Sequence, residues 1–212
     1  MSKNKTEIRA FEFDIEANEN EEHGHFLSGR AIVFDQPADL FSPRIGEYRE
    51  FIDRDALDGT DLRDVRFLVN HNTDMVPLAR SRRNNENSTM QMVVGEDGMD
   101  IRVDLDIENN ADARSLYSAV SRGDISGMSF MMVVDEDKWE NAKSEMPVRH
   151  IRSISKVLEV SAVTFPAYAQ TSISTRGLSD ALDSAADSLE SERARLAEIE
   201  RRKQKIRIMA EV

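Results

Sequence analysis

NNADARSLYSAVSRGDISGMSFMMVV, residues 109–134, holds both of the periodicities from which this fold is built. Ala113, Leu116, Tyr117 and Val120 recur at i, i+3, i+4 and i+7, one apolar face of a helix of about three turns. Asn109 or Asn110 supplies the N-cap oxygen, and Gly123 stands where a left-handed C′ residue ends a helix. From residue 126 the pattern changes to a continuous apolar run, and 126–134 reads as a strand.

Outward from this stretch, strands dominate. Upstream, residues 90–94 and 99–105 form a predicted hairpin, with Gly95 and Gly98 bracketing a polar turn that needs positive φ angles. Phe11, Phe13 and Ile15 alternate with Glu12, Asp14 and Glu16, as in a half-buried strand. An acidic loop (18–22) separates it from a second strand at 25–34. Residues 35–46, with Pro37, Pro43 and Gly46, read as loop, 48–52 and 65–69 as strands, and 54–57 as a helical turn. Downstream, a polar loop is expected around Trp139, then strands at 148–154 and 157–165, the last stopped by Pro166.

After Gly177 there is no glycine or proline. Leu182, Ala185, Leu189, Leu196, Ile199 and Ile206 fall on a and d positions of one heptad frame, interrupted by Glu192 and Lys203. This predicts a long amphipathic helix and a coiled-coil candidate. Its acids come first and its bases last, which suits the helix dipole. The helix is either simply solvated or a handle for self-association or docking. The layout is therefore α+β: a strand-rich body over residues 1–176 and a helical tail over 177–212.

Composition narrows the function. Twenty-eight Lys and Arg face 40 Asp and Glu, a formal charge of −12, so neither nucleic acid nor an anionic membrane is an expected partner. Cysteine is absent, which removes disulfides, thiolate–metal sites and a cysteine nucleophile, and suits a reducing cytoplasm. The longest apolar run, 130–134, is far shorter than the ~20 residues of a membrane span. The opening MSKNKTEIRAFEFDIE turns acidic where a signal peptide would be apolar, so no export is expected.

Any nucleophile must then be Ser, Thr, Lys or a carboxylate, with histidine as the usual base. His23 and His25 could share one strand face and a metal, but no third ligand is evident, and no metal or cofactor is expected. His71 directly follows an apolar strand, where the chain turns; a structural or capping role is the alternative. His150 lies on a predicted strand. Ser129 stands in the most apolar stretch of the chain, either as a buried hydroxyl bonded to backbone or as a nucleophile on a rigid strand. Strict alternation puts Val157, Glu159 and Ser161 on one strand face. A carboxylate there either faces solvent or orients a partner.

Three segments in order, LVNHN (68–72), GDISGMSF (123–130) and LEVSAVTFPA (158–167), resemble the prohead maturation proteases of tailed phages. GRAIVF (29–34) and the Gly98 hairpin support the likeness, which covers about residues 8–176. The resemblance implies a serine endopeptidase on a mostly antiparallel β-barrel surrounded by helices, akin to the herpesvirus assembly proteases. By position it makes Ser129 the nucleophile, His71 the general base and Glu159 the third member. The chain has Met131 and Met132 where the family often has glycine. Ser126 rivals Ser129, and His150 rivals Glu159, because the herpesvirus relatives use a second histidine. Backbone amides, Arg149 or Arg152 could form the oxyanion hole.

The implied enzyme acts in the host bacterial cytoplasm, inside the immature capsid. It cuts the major capsid protein's extension or the scaffold, and itself. The alternatives are a non-catalytic capsid assembly factor, in which the tail does the work, and a small-ligand β-barrel.

Overall fold

The computed structural model describes residues 5–11, 15–164 and 176–210. In chain order the strands are β1 (Lys5–Phe11), β2 (Ile15–Asn20), β3 (Gly24–Val33), β4 (Ala38–Ser42) and β5 (Gly46–Ile52). A 3-10 turn, Arg54–Leu57, precedes β6 (Arg66–Val69), β7 (Ala79–Arg80), β8 (Met90–Val94) and β9 (Gly98–Asp104). Helix α1 (Ala111–Ser121) leads into β10 (Gly127–Glu140), β11 (Val148–Val163) and the long helix α2 (Arg176–Ala210). Phe13 and the 165–167 end of the last quoted motif lie outside the described residues.

The strands make two sheets. One has the order β1-β10-β11-β5-β4, with β6 also pairing β11 and β7 pairing β6; the other runs β2-β3-β9-β8. Pairing is antiparallel except for β11 with β5 and with β6. Neither sheet closes into a ring among the described strands, so the described residues form a strand-rich α and β body with two α-helices. The hydrogen bonding does not draw the closed barrel that the resemblance implies. A shared apolar core joins them: Leu27, Ile32, Met90, Met99, Ile101 and Val103 from one sheet, and Phe67, Phe130, Val157 and Val160 from the other. Ala113, Leu116 and Val120 bring the apolar face of α1 into the same core.

Local chemistry explains the elements that position the site. Asn110 Oδ1 accepts from the Asp112 and Ala113 amides at 3.0 and 3.2 Å, a cap that stabilises the start of α1 by about 1 kcal/mol. Gly123, at φ 75°, ends it. In the hairpin, glycine is demanded at Gly98 by close approach: a Cβ there would stand 1.9 Å from the Ile32 carbonyl oxygen.

Three predicted boundaries are corrected. Phe11 and Ile15, read as parts of one strand, fall in different sheets, since β1 pairs β10 in the first and β2 pairs β3 in the second, and 12–14 lie outside the described residues. Residues 38–42, read as loop, pair with β5. The polar loop expected around Trp139 lies just beyond it, at 141–147, because β10 continues to Glu140, and 148–163, read as two strands, is the single strand β11. The polar residues of this stretch find partners only in the fold. Asp137 accepts from Arg149 and from Ser188 of α2 at 2.7 Å each, and Trp139 Nε1 donates to Ser188 Oγ at 3.1 Å.

Helix α2 lies against the body. Ala185 and Leu189 join Tyr48, Trp139 and Ala142 in a second apolar cluster. Ser184 donates to Glu7 Oε1 at 2.8 Å. Glu7 belongs to a buried network in which Arg9 bonds Glu7 and Glu50, and Arg149 bonds Glu7, Glu50 and Asp137. Burial by itself would raise the Glu7 carboxyl, but the charges of Arg149 and Arg9 outweigh it and hold the group at about 2. On the outer side, Arg44 pairs with Asp187 and Glu190. The first half of the heptad seam is thus spent on the chain's own body. Beyond it, Ile206, Ile208 and Met209 are exposed.

Candidate active site

The site is built where β6 and β10 flank the C-terminal half of β11. Phe67, Phe130, Val160 and Ala162 are all buried in the core. Register places Ser129 opposite Ser161, Met131 opposite Glu159, and Leu68 beside Ser161. Since strand side chains alternate, these residues occupy the face turned away from that core. Strict alternation would also put Val157 there, but it is fully buried in the core. The reason is a bulge. Met131 pairs Glu159 while Met132 pairs Val157, leaving Leu158 as an extra residue in β11. Such a bulge re-aims side chains, and here it leaves Glu159 and Ser161 together on the outer face.

His71 reaches this face from the end of β6. Asn70 and His71 both hold left-handed φ angles, 50° and 54°, a conformation that costs about 1–3 kcal/mol per residue outside glycine. The turn is held in several ways. The Asn70 amide donates to the Ala162 carbonyl at 2.9 Å, and its side chain accepts from the Thr164 amide at 3.0 Å and donates to the Thr164 hydroxyl at 3.1 Å. The His71 amide donates to Ser161 Oγ at 3.1 Å.

The result is a short polar chain. His71 Nδ1 lies 2.5 Å from Glu159 Oε1, and Ser161 Oγ donates to Glu159 Oε2 at 2.6 Å. Glu159 is buried, with 3% of its surface exposed, and its two oxygens are each engaged. A carboxylate on Nδ1 fixes the tautomer in which Nε2 is free to take a proton. Chemically, such a pair is able to take up a proton at Nε2 with the carboxylate orienting the ring.

Ser129 is completely buried, and its hydroxyl donates to the Arg9 carbonyl at 2.8 Å. Its partner across the ladder is Ser161, an opposition that sets the two Cβ atoms about 5 Å apart. The fold therefore joins His71 to Glu159 and sets Ser129 on the same face one strand away, its hydroxyl turned to β1. The rivals fall elsewhere. Ser126 is exposed, ahead of β10. His150 Nδ1 bonds Asp53 at 2.8 Å and its ring stacks on Phe51, nine residues before Glu159 on β11 and so about 30 Å along the strand. Arg149 is closed off as an oxyanion donor because all three of its guanidinium nitrogens bond carboxylates, and Arg152 pairs with Asp53. His23 lies 3.0 Å from Arg102 and His25 edges onto Tyr117. Among the described residues no cluster of metal-ligating side chains occurs.

Two contributors were not singled out from sequence. Alternation alone gives Ser161 a place on the face of Glu159 but no role, and gives Asn70 only a place in the 68–72 motif. The available signal was the Asn-His-Asn run, since asparagine and histidine enter the left-handed region more readily than most residues.

No helix among the described residues is long and apolar enough to cross a membrane. Neither a curated protein nor a solved structure matches the chain. The sequence profile of a family described as caudovirus prohead serine protease does match, over residues 11–184, a span that runs from the end of β1 into α2 and includes every residue of the site. On that match, the chain belongs to the caudovirus prohead serine protease family.

Proposed function

We propose that the chain is a serine endopeptidase of prohead maturation, with Ser129 as nucleophile, His71 as general base and Glu159 as the third member. The observation that carries this reading is the His71 Nδ1–Glu159 contact, on the sheet face that also holds Ser129, in a member of this family. To react, the Ser129 hydroxyl leaves the Arg9 carbonyl and turns toward Nε2 of His71. Unformed catalytic hydrogen bonds are usual in ligand-free serine enzymes.

Ser129 Oγ then attacks the scissile carbonyl carbon while Nε2 takes its proton. Glu159 stabilises the imidazolium through Nδ1–H. The tetrahedral intermediate collapses, the C–N bond breaks, and the imidazolium returns the proton to the leaving amine. Water, deprotonated by the same nitrogen, releases the acyl group and restores Ser129. Ser161 acts on this sequence through Glu159, which it holds from the other oxygen.

The substrates in this reading are the major capsid protein's extension or the scaffold, and the protease itself, inside the immature capsid within the host cell. All three proposed catalytic positions fall in residues 1–176, and the exposed basic end of α2 is the part left for self-association or recruitment. Co-expression with the capsid protein tests the reading. Wild type should shorten the capsid protein, Ser129→Ala should not, and Ser126→Ala should behave as wild type. Shortening by Ser129→Ala would refute it and would favour the assembly-factor reading.

A further inference from the structure

The proposed nucleophile is flanked on both sides by its own sheet. Ser129 pairs Ser161 of β11 on one flank and Ala10 of β1 on the other. None of its surface is exposed, and its hydroxyl is held by the Arg9 carbonyl at 2.8 Å. β1 is the edge strand of this sheet, running antiparallel along β10 from Lys5 opposite Val134 to Phe11 opposite Met128. An endopeptidase has to bring the carbonyl carbon of an extended segment to Ser129 Oγ, and such a segment binds by pairing its backbone with a free strand edge. Beside Ser129 that edge is already occupied by β1.

The residue that holds the hydroxyl is itself anchored. The Arg9 guanidinium bonds Glu7 and Glu50 and reaches back to the Ile8 carbonyl. Glu7, two residues away on β1, accepts from Arg149 through both oxygens and from Ser184 of α2 at 2.8 Å. All five of these side chains are buried. Lifting β1 from β10 breaks these bonds together with the ladder, and leaves buried charges without their partners, which is costly. A strand anchored in this way stays on the sheet in the isolated chain.

We infer that β1 is a built-in inhibitor of the proposed active site. It occupies the edge of β10 on which the scissile segment pairs, its Arg9 carbonyl holds the Ser129 hydroxyl, and the Glu7–Arg9 network with α2 latches it there. This rests on the protease reading above. When β1 leaves, β10 becomes the edge of the sheet, and its freed N–H and C=O groups take an extended peptide. The Ser129 hydroxyl is released toward His71 in the same step. His71 at the end of β6, and Glu159 and Ser161 on β11, lie across β10 from β1, so the base and its acid stay in place through the change. The activity of the chain then scales with the fraction in which β1 is off the sheet.

The test is the rate at which a fluorophosphonate, which phosphonylates an activated serine with loss of fluoride, labels Ser129, read by peptide mass spectrometry. The chain has no cysteine. Thr6→Cys with Val133→Cys, directly opposite partners four residues from the Ala10–Ser129 pair, therefore makes one defined disulfide between β1 and β10. Reduced, this double variant should label like wild type. Oxidised, with the disulfide confirmed by mass, it should label roughly tenfold more slowly or less, because β1 is tied to β10. Ser184→Ala removes a bond that opening breaks, and should speed labelling roughly tenfold, with Trp139 fluorescence showing that the chain is folded. It keeps the inference testable if the disulfide does not form. Equal rates in the oxidised and reduced forms, or a Ser184→Ala rate no faster than that of wild type, would overturn the inhibitor and leave the protease reading standing, since a turn of the hydroxyl alone would then suffice. Failure of every form to label at Ser129, with no shortening of co-expressed capsid protein by wild type, would instead overturn the protease reading.

Discussion

Removing one oxygen, that of Ser161, should damage catalysis through a residue that never meets the substrate. Its Oγ makes two bonds, donating to Glu159 Oε2 at 2.6 Å and accepting from the His71 amide at 3.1 Å. The residue is fully buried, and Glu159 nearly so. In Ser161→Ala the carboxylate loses the hydroxyl that donates to it, a bond between a neutral donor and a charged acceptor worth about 1.5–3 kcal/mol, and the His71 amide loses its Ser161 acceptor. That amide belongs to a residue already held at φ 54°, so the left-handed turn loses part of what holds it. We expect stability to fall by about 2–4 kcal/mol. The share felt in the transition state is smaller, because the His71–Glu159 bond survives but is free to swing. A loss of 1.4–2.7 kcal/mol there is roughly a 10- to 100-fold fall in kcat, with KM little changed. Progress curves of capsid-peptide cleavage, measured well below the unfolding temperature, give both constants. The decisive form is a double-mutant cycle with Glu159→Gln. If Ser161 acts mainly through Glu159, adding Ser161→Ala should lower kcat much less once the carboxylate is gone, leaving only the part that runs through the His71 amide. Additive losses, or wild-type kcat in a destabilised Ser161→Ala chain, would refute the reasoning.

Glu159→Gln keeps the shape but removes the charge that supports the imidazolium, and should lower kcat by about three to four orders of magnitude. His150→Gln, which alters the contacts with Asp53 and Phe51, should leave cleavage within about twofold of wild type; equal losses in the two variants would contradict the assignment. Acid should unfold the body through Glu7. Its folded-state pKa, near 2, lies below the ordinary 4.5, so the stability it contributes is full above about pH 4.5 and is lost as pH falls towards 2, up to about 3 kcal/mol in all. Trp139, which lies 5.9 Å from Arg149 of the same network, reports this by fluorescence, and Glu7→Gln should remove the Glu7 share of the dependence in that window. Deleting residues 201–212, whose described side chains are all exposed, should leave the unfolding temperature almost unchanged. Deleting 177–212 removes Ser184, Ala185 and Leu189 from Glu7, Tyr48 and Trp139 and should lower it by several degrees; equal unfolding temperatures would show that the docked half of α2 adds nothing.

What could be read from the sequence was what short-range forces decide. The extent of α1, its Asn110 cap and its Gly123 stop follow from contacts within a few residues, as does the hairpin of β8 and β9. The ordered motifs around His71, Ser129 and Glu159 were also visible, because the family match depends on residue identity and spacing alone. Tertiary structure decided the rest. His71 and Glu159, 88 positions apart, meet only because β6 lies parallel to β11, and no local pattern encodes that pairing. Glu159 shares a face with Ser161 but not with Val157 because of the bulge at Leu158, a choice made by pairing with β10 and invisible to strict alternation. The polar residues before Trp139 read as loop because their partners, Arg149 and Ser188, come from β11 and α2. A strand may carry charge wherever distant elements supply the opposite charge and the donors, and only the assembled fold brings them there.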